Sequence, residues 1–570
     1  MMNSRVLSIL TAFFWAAAAA SSASADSSPT QTTLAIPAGT VVGSVVDGVE
    51  YFRGIPFAEP PTGNLRLKPP VRLGAFDTVQ ATGVGPACPQ MALTDVPPIF
   101  LEAVSQPAVA AAVFLGSALG DAREDCLTIS VMRPEGVAPD AKLPVLFWIH
   151  GGGFELGSSQ PYNASVLIPR AAAVDKPFIF VAVNYRLGGF GFLGGSEILA
   201  EGSANLGLLD QRMGLEWVAD NIAAFGGDPD AVTIWGESAG SFSVFDQLAL
   251  YDGDSTYNGR PLFRAAIMDS GSVASIAPVD GEKAQSIFDA VVEAAGCSSD
   301  TDSDKLACLR SVDYETFLSA TNSVPAFLSY ESISLSYMPR PDGKTLTESP
   351  HILAKDGKYA SVPIIIGSME DEGTLFALFQ SNITNEPELV SYLSDVIFKD
   401  ATYQEVAALV DTYPYKNGSA GSPFRTCELN KVYPEFKRLA AILGDFEFML
   451  TRRVFLDSRA SWLPAWSFLA SWEHGTPTLG TFHTADLPHV FYGNDPASVA
   501  IQDRYIAFVK SLNPNDGLAS VAAGMDTYWP EWHESRQLLE LGANATRLLR
   551  DDFRAASFEY INSHFDALKV

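Results

Sequence analysis

Residues 232–243 read VTIWGESAGSFS. A β-branched apolar run breaks off into a serine, Ser238, held between Gly236 and Gly240. The pattern G-x-S-x-G is common by chance. Behind a strand and ahead of a helix, however, it marks a turn so sharp that the serine stands clear of the sheet edge. The flanking glycines let the two elements pass close together. This stretch therefore asks for a strand ending at the serine, a helix beginning after it, and a sheet to hold the strand.

Other segments supply that sheet. LPVLFWI (Leu143–Ile149) and FIFVAVN (Phe178–Asn184) are short apolar runs closed by turn residues, the pattern of buried strands. RAAIMDSG (Arg264–Gly271) and SVPIIIGS (Ser361–Ser368) repeat it. Between them, Leu209, Met213, Trp217 and Ile222 recur near helical spacing, and Gly226 and Gly227 follow, a helix with its stop signal. Strand–helix alternation predicts an α/β fold with a large, mostly parallel central sheet flanked by helices. No internal repeat or long linker divides the chain, so residues 26–570 are expected to form one domain.

Residues 1–25 are set apart from that domain. Arg5 precedes the apolar run VLSILTAFFWAAAAA, and Ala23–Ala25 offer small residues for cleavage. That is the pattern of a secretory signal, too short for a stable membrane span, and it predicts a secreted, extracellular protein. The formal charge of −29 argues against nucleic acids and anionic membranes as partners. In an oxidising compartment the five cysteines should give two disulfides and one leftover thiol. Four N-x-S/T sequons, at Asn163, Asn382, Asn417 and Asn544, are N-glycosylation candidates. One segment, Ala103–Gly120, carries no charge at all. Pro107 and several polar residues argue against a membrane span, leaving a cover over an apolar cleft or a buried core helix.

A nucleophilic serine needs an anion site, a base and an acid that orients the base. HGGGFELGSS begins at His150, directly after a strand, and Gly152 and Gly153 present N–H groups without side-chain obstruction. Ala239, just after the serine, supplies a further N–H by the mechanics of the elbow. Downstream carboxylates cluster at Glu370, Asp371 and Glu372, and histidines stand at 351, 474, 483, 489, 533 and 564. Spacing alone does not choose among them. Two other motifs lack their context. GFGFLG (Gly189–Gly194) is not followed at once by a helix, as a nucleotide site requires, and His533 has no second histidine for zinc. No cofactor and no metal is expected.

Taken together, YFRGIPFAEPPTGNLRL, EDCLTISV, WIHGGGFELGS, DQRMGLEWVADNIAAFGGDP, TIWGESAGS, DGKYASVPIIIGSMEDEGTLF and LGTFHTADL resemble the type-B carboxylesterase and lipase family. This is an α/β-hydrolase group that includes the cholinesterases, and the chain is especially similar to the fungal lipases of the Candida–Geotrichum kind. The resemblance spans nearly all of the chain after the leader. It implies Ser238 as nucleophile, His483 as general base, Glu372 as triad acid, and Gly152, Gly153 and Ala239 as oxyanion donors. It also implies a Cys88–Cys126 bridge closing a lid loop over about 88–126, a second bridge Cys297–Cys308, and an Arg66–Glu124 ion pair near the loop. Cys427 is left without a role.

The implied function is a secreted lipase acting on acylglycerols and sterol esters at a lipid–water interface. A carboxylesterase for soluble short-acyl or aromatic esters is the alternative within the class. A non-catalytic, cholinesterase-like interaction module is the alternative outside it, and the intact triad and glycine motif speak against that.

Overall fold

The apolar runs lie side by side at the centre of a 13-stranded sheet. A computed structural model describes residues 30–94, 96–115, 121–298, 302–414, 421–518 and 522–570. The expected leader (1–25), Asn417, and residues 116–120 of the uncharged segment lie outside the described residues.

Seven neighbouring strands run parallel: Ile179–Val183, Leu143–Ile149, Gly227–Glu237, Ala265–Asp269, Ile364–Met369, Ala465–Ala470 and Gln537–Leu541. Most of their residues are buried, which is why they read as unbroken apolar runs rather than as alternation. Strands Thr30–Ile36, Gly39–Val46, Val49–Pro56 and Thr128–Pro134 extend one edge antiparallel, and Thr546–Arg550 closes the other. Such a mixed sheet, with helices packed on it, is the α/β-hydrolase fold. The helix read from Leu209 onward spans Leu206–Asn221, continues in a tight turn over Ile222–Phe225, and stops at Gly226 with φ 82°.

Behind the strand that leads to Ser238 the core is aromatic. Trp148 and Trp235 are directly opposed on neighbouring strands, with ring centroids 4.3 Å apart. Phe491 stacks on Trp235 at 5.0 Å. A buried side chain of this kind contributes about 1.5–3 kcal/mol through the area it removes from water. The edge-on geometry of the tryptophan pair adds to that. The strand carrying the elbow is thus held from behind by rings that leave little room to shift.

Two disulfides join Cys88 to Cys126 and Cys297 to Cys308, and Cys427 is an exposed free thiol. Arg66 ties the two bridged regions together. Its guanidinium donates to both Glu124 oxygens, at 2.6 and 2.9 Å, and to the carbonyls of Leu309 and Val312. The pair is buried, so removing either partner alone would strand a charge and cost about 3–5 kcal/mol.

Inside the first bridge the chain forms two short helices, Pro98–Val104, which ends as the uncharged segment begins, and Pro107–Leu115, which lies within it. Pro107 cannot continue a preceding helix without losing a hydrogen bond, so the chain breaks there. Phe100, Ala103, Val109 and Ala112 are buried, while Ile99, Leu101 and Val104 remain partly exposed. Among the described residues no helix is long and apolar enough to cross a membrane.

Candidate active site

Ser238 sits between the strand Gly227–Glu237 and the helix Ala239–Gly253, with φ 57° and ψ −127°. That conformation is costly for a residue with a side chain and persists only where the surroundings impose it. The two glycines explain how. A Cβ on Gly236 would lie 2.3 Å from the backbone of Gly240, and one on Gly240 would lie 2.1 Å from the carbonyl oxygen of Ile149. Strand and helix therefore touch backbone to backbone, and the serine between them is turned outward.

The serine hydroxyl faces His483. Nε2 of His483 lies 2.7 Å from Ser238 Oγ, and Nδ1 lies 2.6 Å from Glu372 Oε2. A proton on Nδ1 satisfies the carboxylate and leaves Nε2 free to accept from the serine hydroxyl. The other Glu372 oxygen accepts from Ser270 Oγ at 2.6 Å and from the Met369 amide at 2.7 Å. The acid is thus held by three donors. His483 is 3% exposed and lies against the rings of Phe448 and Phe376, at 4.5 and 5.2 Å. The imidazole has little freedom to rotate away.

The glycine turn lies across from this chain. Gly152 and Gly153 have φ of 109° and 62°, conformations open to glycine. The Gly152 carbonyl accepts from the amides of Glu155 and Leu156, which fixes the turn. Among the described residues the amides of Gly152 and Gly153 donate to no protein acceptor. The Ala239 amide opens its helix and has no acceptor within it. Glu155 anchors the turn from beneath: its carboxyl accepts from the amides of Phe327 and Tyr337. Burial pushes the Glu155 carboxyl up to about 8, against the opposing pull of those two amides.

The remaining acids and histidines lie elsewhere. Asp371 is buried and accepts from Ser422 Oγ and from the amides of Phe424 and Thr481, a structural staple beside the site. Glu370 pairs with Arg425 and His474. His351 pairs with Asp566, and His489 with Ser498. His533 lies in the short helix Trp532–Ser535 and His564 beside Tyr560. Among the described residues the one grouping with metal-ligand spacing is Glu370, Asp371 and His474. Arg425 and the Asp371 staple already occupy its carboxylates. The glycines of GFGFLG serve close packing instead: a Cβ on Gly191 would meet the Arg186 carbonyl oxygen at 2.1 Å.

Sequence reasoning missed three residues of the site. Ser270 follows the strand Ala265–Asp269 and reaches Glu372. Asp269, at that strand's end, accepts from Trp235 Nε1 and from the Tyr505 hydroxyl, and burial pushes it up to about 7. Glu237 immediately precedes the serine. It is buried, one oxygen lies 3.4 Å from His483 Nε2, and that oxygen has no hydrogen-bond partner. Burial, then the nearby Asp486 and Glu372, push its carboxyl well above the usual range. Its place inside G-E-S-A-G was the available signal, but the type of residue at that position says nothing about its protonation.

The chain is similar to known proteins along nearly its whole described length. A carboxylesterase family model matches residues 30–560. The chain is 54% identical over 547 residues to the secreted triacylglycerol lipase LIP1 of Gibberella zeae, covering 94% of this chain and 91% of that one. It is 44% identical over 556 residues to lipase 5 of Diutina rugosa, covering 95% and 98%. Among solved structures it is similar to Aspergillus niger EstA, with TM-score 0.78 and 27% identity over 95% of this chain and 99% of that one. With the match running along nearly the whole described chain, the protein belongs to the carboxylesterase family and is an extracellular serine hydrolase of the esterase–lipase type.

Proposed function

We propose that the protein is a lipase that cleaves acylglycerols, and sterol esters with them, through an acyl-enzyme formed on Ser238. The observation that carries this is the hydrogen-bond chain Ser238–His483–Glu372. His483 Nε2 takes the hydroxyl proton as Ser238 Oγ attacks the ester carbonyl. Glu372 holds the imidazole in the required tautomer and stabilises the imidazolium. The amides of Gly152, Gly153 and Ala239 receive the oxyanion, fixed in place before the charge develops. His483 then protonates the departing alcohol, and water repeats the cycle on the acyl-enzyme.

The choice of long-chain esters rests on similarity to proteins named as lipases and on the apolar segment inside the Cys88–Cys126 loop. We assign that loop as a lid whose partly exposed Ile99, Leu101 and Val104 turn toward lipid when it opens. Residues 1–25 are assigned as a cleaved secretory signal and 26–570 as one catalytic domain. Asn382 and Asn544, both exposed, are better glycan acceptors than the half-buried Asn163.

Ser238→Ala tests the nucleophile. The purified variant should keep its fold and lose about a millionfold in kcat, the loss expected when a serine nucleophile is removed from an intact triad. Residual turnover near the parent level would overturn the assignment. A series of emulsified and dissolved esters tests the substrate class. Preference for dissolved short-chain esters, with no gain at an interface, would make the protein a carboxylesterase instead.

A further inference from the structure

Beyond Ser238 the cleft continues as a narrow cavity, part of it open to solvent. Its wall is largely hydrocarbon: Phe242, Ile333, Leu335, Met338 and Phe448 are typical. Three polar side chains other than Ser238 interrupt that wall, namely Asp246, Ser272 and Glu447. A pocket for plain hydrocarbon has no use for them, because a buried polar group without a partner opposes folding.

Asp246 is 3% exposed, and no protein group among the described residues hydrogen-bonds to its carboxyl. Ser272 Oγ is likewise buried without a partner. Glu447 is buried, and Lys283 is the charged group that pulls on it. Burial raises both carboxyls, Glu447 to about 8 and Asp246 well above its usual range. Burial thus favours the neutral carboxyl on both, and a neutral carboxyl offers a donor as well as an acceptor.

Their placement follows the backbone. Ser238 caps the helix Ala239–Gly253, and Phe242 and Asp246 follow at four-residue intervals along the face that lines the cavity. Asp246 lies eight positions beyond the serine, so it stands on the order of 12 Å further along the helix. Glu447 belongs to a wide π-helical turn, Asp445–Met449, which brings Glu447 and Phe448 together onto the cavity wall. Such turns recur at functional sites.

We propose that this cavity holds the acyl chain and that Asp246, with Ser272 and Glu447, selects acyl groups bearing a mid-chain hydroxyl, making esters of hydroxy fatty acids the preferred substrate class. The inference rests on Ser238 being the nucleophile. A hydroxyl both donates and accepts, which matches a protonated carboxyl. An amine would call for an ionised partner, the form that burial disfavours here. A plain chain would leave the polar groups unpaired, the situation in which a site discriminates most sharply.

The test compares p-nitrophenyl esters of octadecanoate and 12-hydroxyoctadecanoate in the same detergent micelles. The parent enzyme should favour the hydroxylated ester by at least about tenfold in kcat/KM, a modest share of the discrimination open to a hydrogen-bonding site. Asp246→Leu should lower that ratio chiefly by raising kcat/KM for the plain chain, a gain that misfolding cannot imitate. Asp246→Asn, which keeps a donor and an acceptor, should retain the preference. Glu447→Leu should move the ratio in the same direction as Asp246→Leu. The proposal falls if the parent treats the two esters alike or favours the plain one. It falls equally if a folded Asp246→Leu leaves the ratio unchanged. Hydrolysis of p-nitrophenyl acetate by Ser238→Ala reports on the nucleophile separately, so that failure would be recognised as a different one.

Discussion

Around Ser238 the backbone has no slack. Gly236, Gly240 and Gly152 each occupy a place where one added methyl group would overlap main-chain atoms. The loop between Cys88 and Cys126 is built the other way, from two short, largely apolar helices held by a covalent bridge and a buried ion pair at its base. One wall is made exact by crowding and the other is only tethered. The contrast teaches where catalytic rate and where substrate access are controlled: small changes on the first wall should stop the chemistry, and comparable changes on the second should alter which substrates arrive.

After the nucleophile itself, the carboxylates beside His483 give the largest expected effect. Glu372→Gln removes the acceptor that fixes the imidazole tautomer and should lower kcat by about 10⁴. Glu237→Gln, close to the same ring, should cost within about tenfold, because burial, with Asp486 and Glu372 nearby, favours the neutral carboxyl, which an amide imitates. Equal losses in the two purified variants would mean that the acid has been misassigned.

Next comes Gly152→Ala. Its Cβ would lie 2.2 Å from the Leu156 carbonyl oxygen, so the turn must shift and the oxyanion amides with it. A loss of about 10²–10³ in kcat is expected, with a lowered unfolding midpoint because the strain falls on main-chain atoms.

The tethered wall should respond differently. Replacing Cys88 and Cys126 together with serine frees a loop of 38 residues, worth about 4 kcal/mol by loop entropy. Urea unfolding would register that loss. Turnover of a small soluble ester should change less than turnover of an emulsified one, and equal losses on both would remove the lid assignment.

The smallest effect concerns pH. Glu155 has its carboxyl raised to about 8 in the folded protein, so the folded state holds this proton more tightly than the unfolded one. Its contribution is most favourable below about pH 4.5 and declines as pH rises toward 8. Glu155→Gln should flatten that decline when melting temperature is followed from pH 5 to 8, and an unchanged slope would contradict it.

The crowded wall was also the legible one. Leu143–Ile149 appears as a strand with the bounds read from its apolar run, and the strand before Ser238 is where VTIW predicts it. Burial on both faces leaves a continuous apolar signature. The antiparallel edge over Thr30–Pro56 leaves no such run, because much of it is half exposed. Choosing Glu372 over Asp371 lay beyond spacing arguments. The two are adjacent in sequence, yet one points to His483 and the other into a staple with Ser422. Family resemblance chose between them, and the hydrogen bonds supply the physical reason. Ser270 and Asp269 were invisible for a related cause: each acts through a partner far away in sequence, and no local pattern encodes that.

The 245 residues between Ser238 and His483 also act as a clock during biosynthesis. A ribosome adding about 5–20 residues per second would need some 12–50 s to travel from one to the other. Throughout that interval the serine is an ordinary alcohol on a growing chain, with no base to make it reactive. A chain cut short before His483 would keep the strained serine and lack the imidazole that faces it.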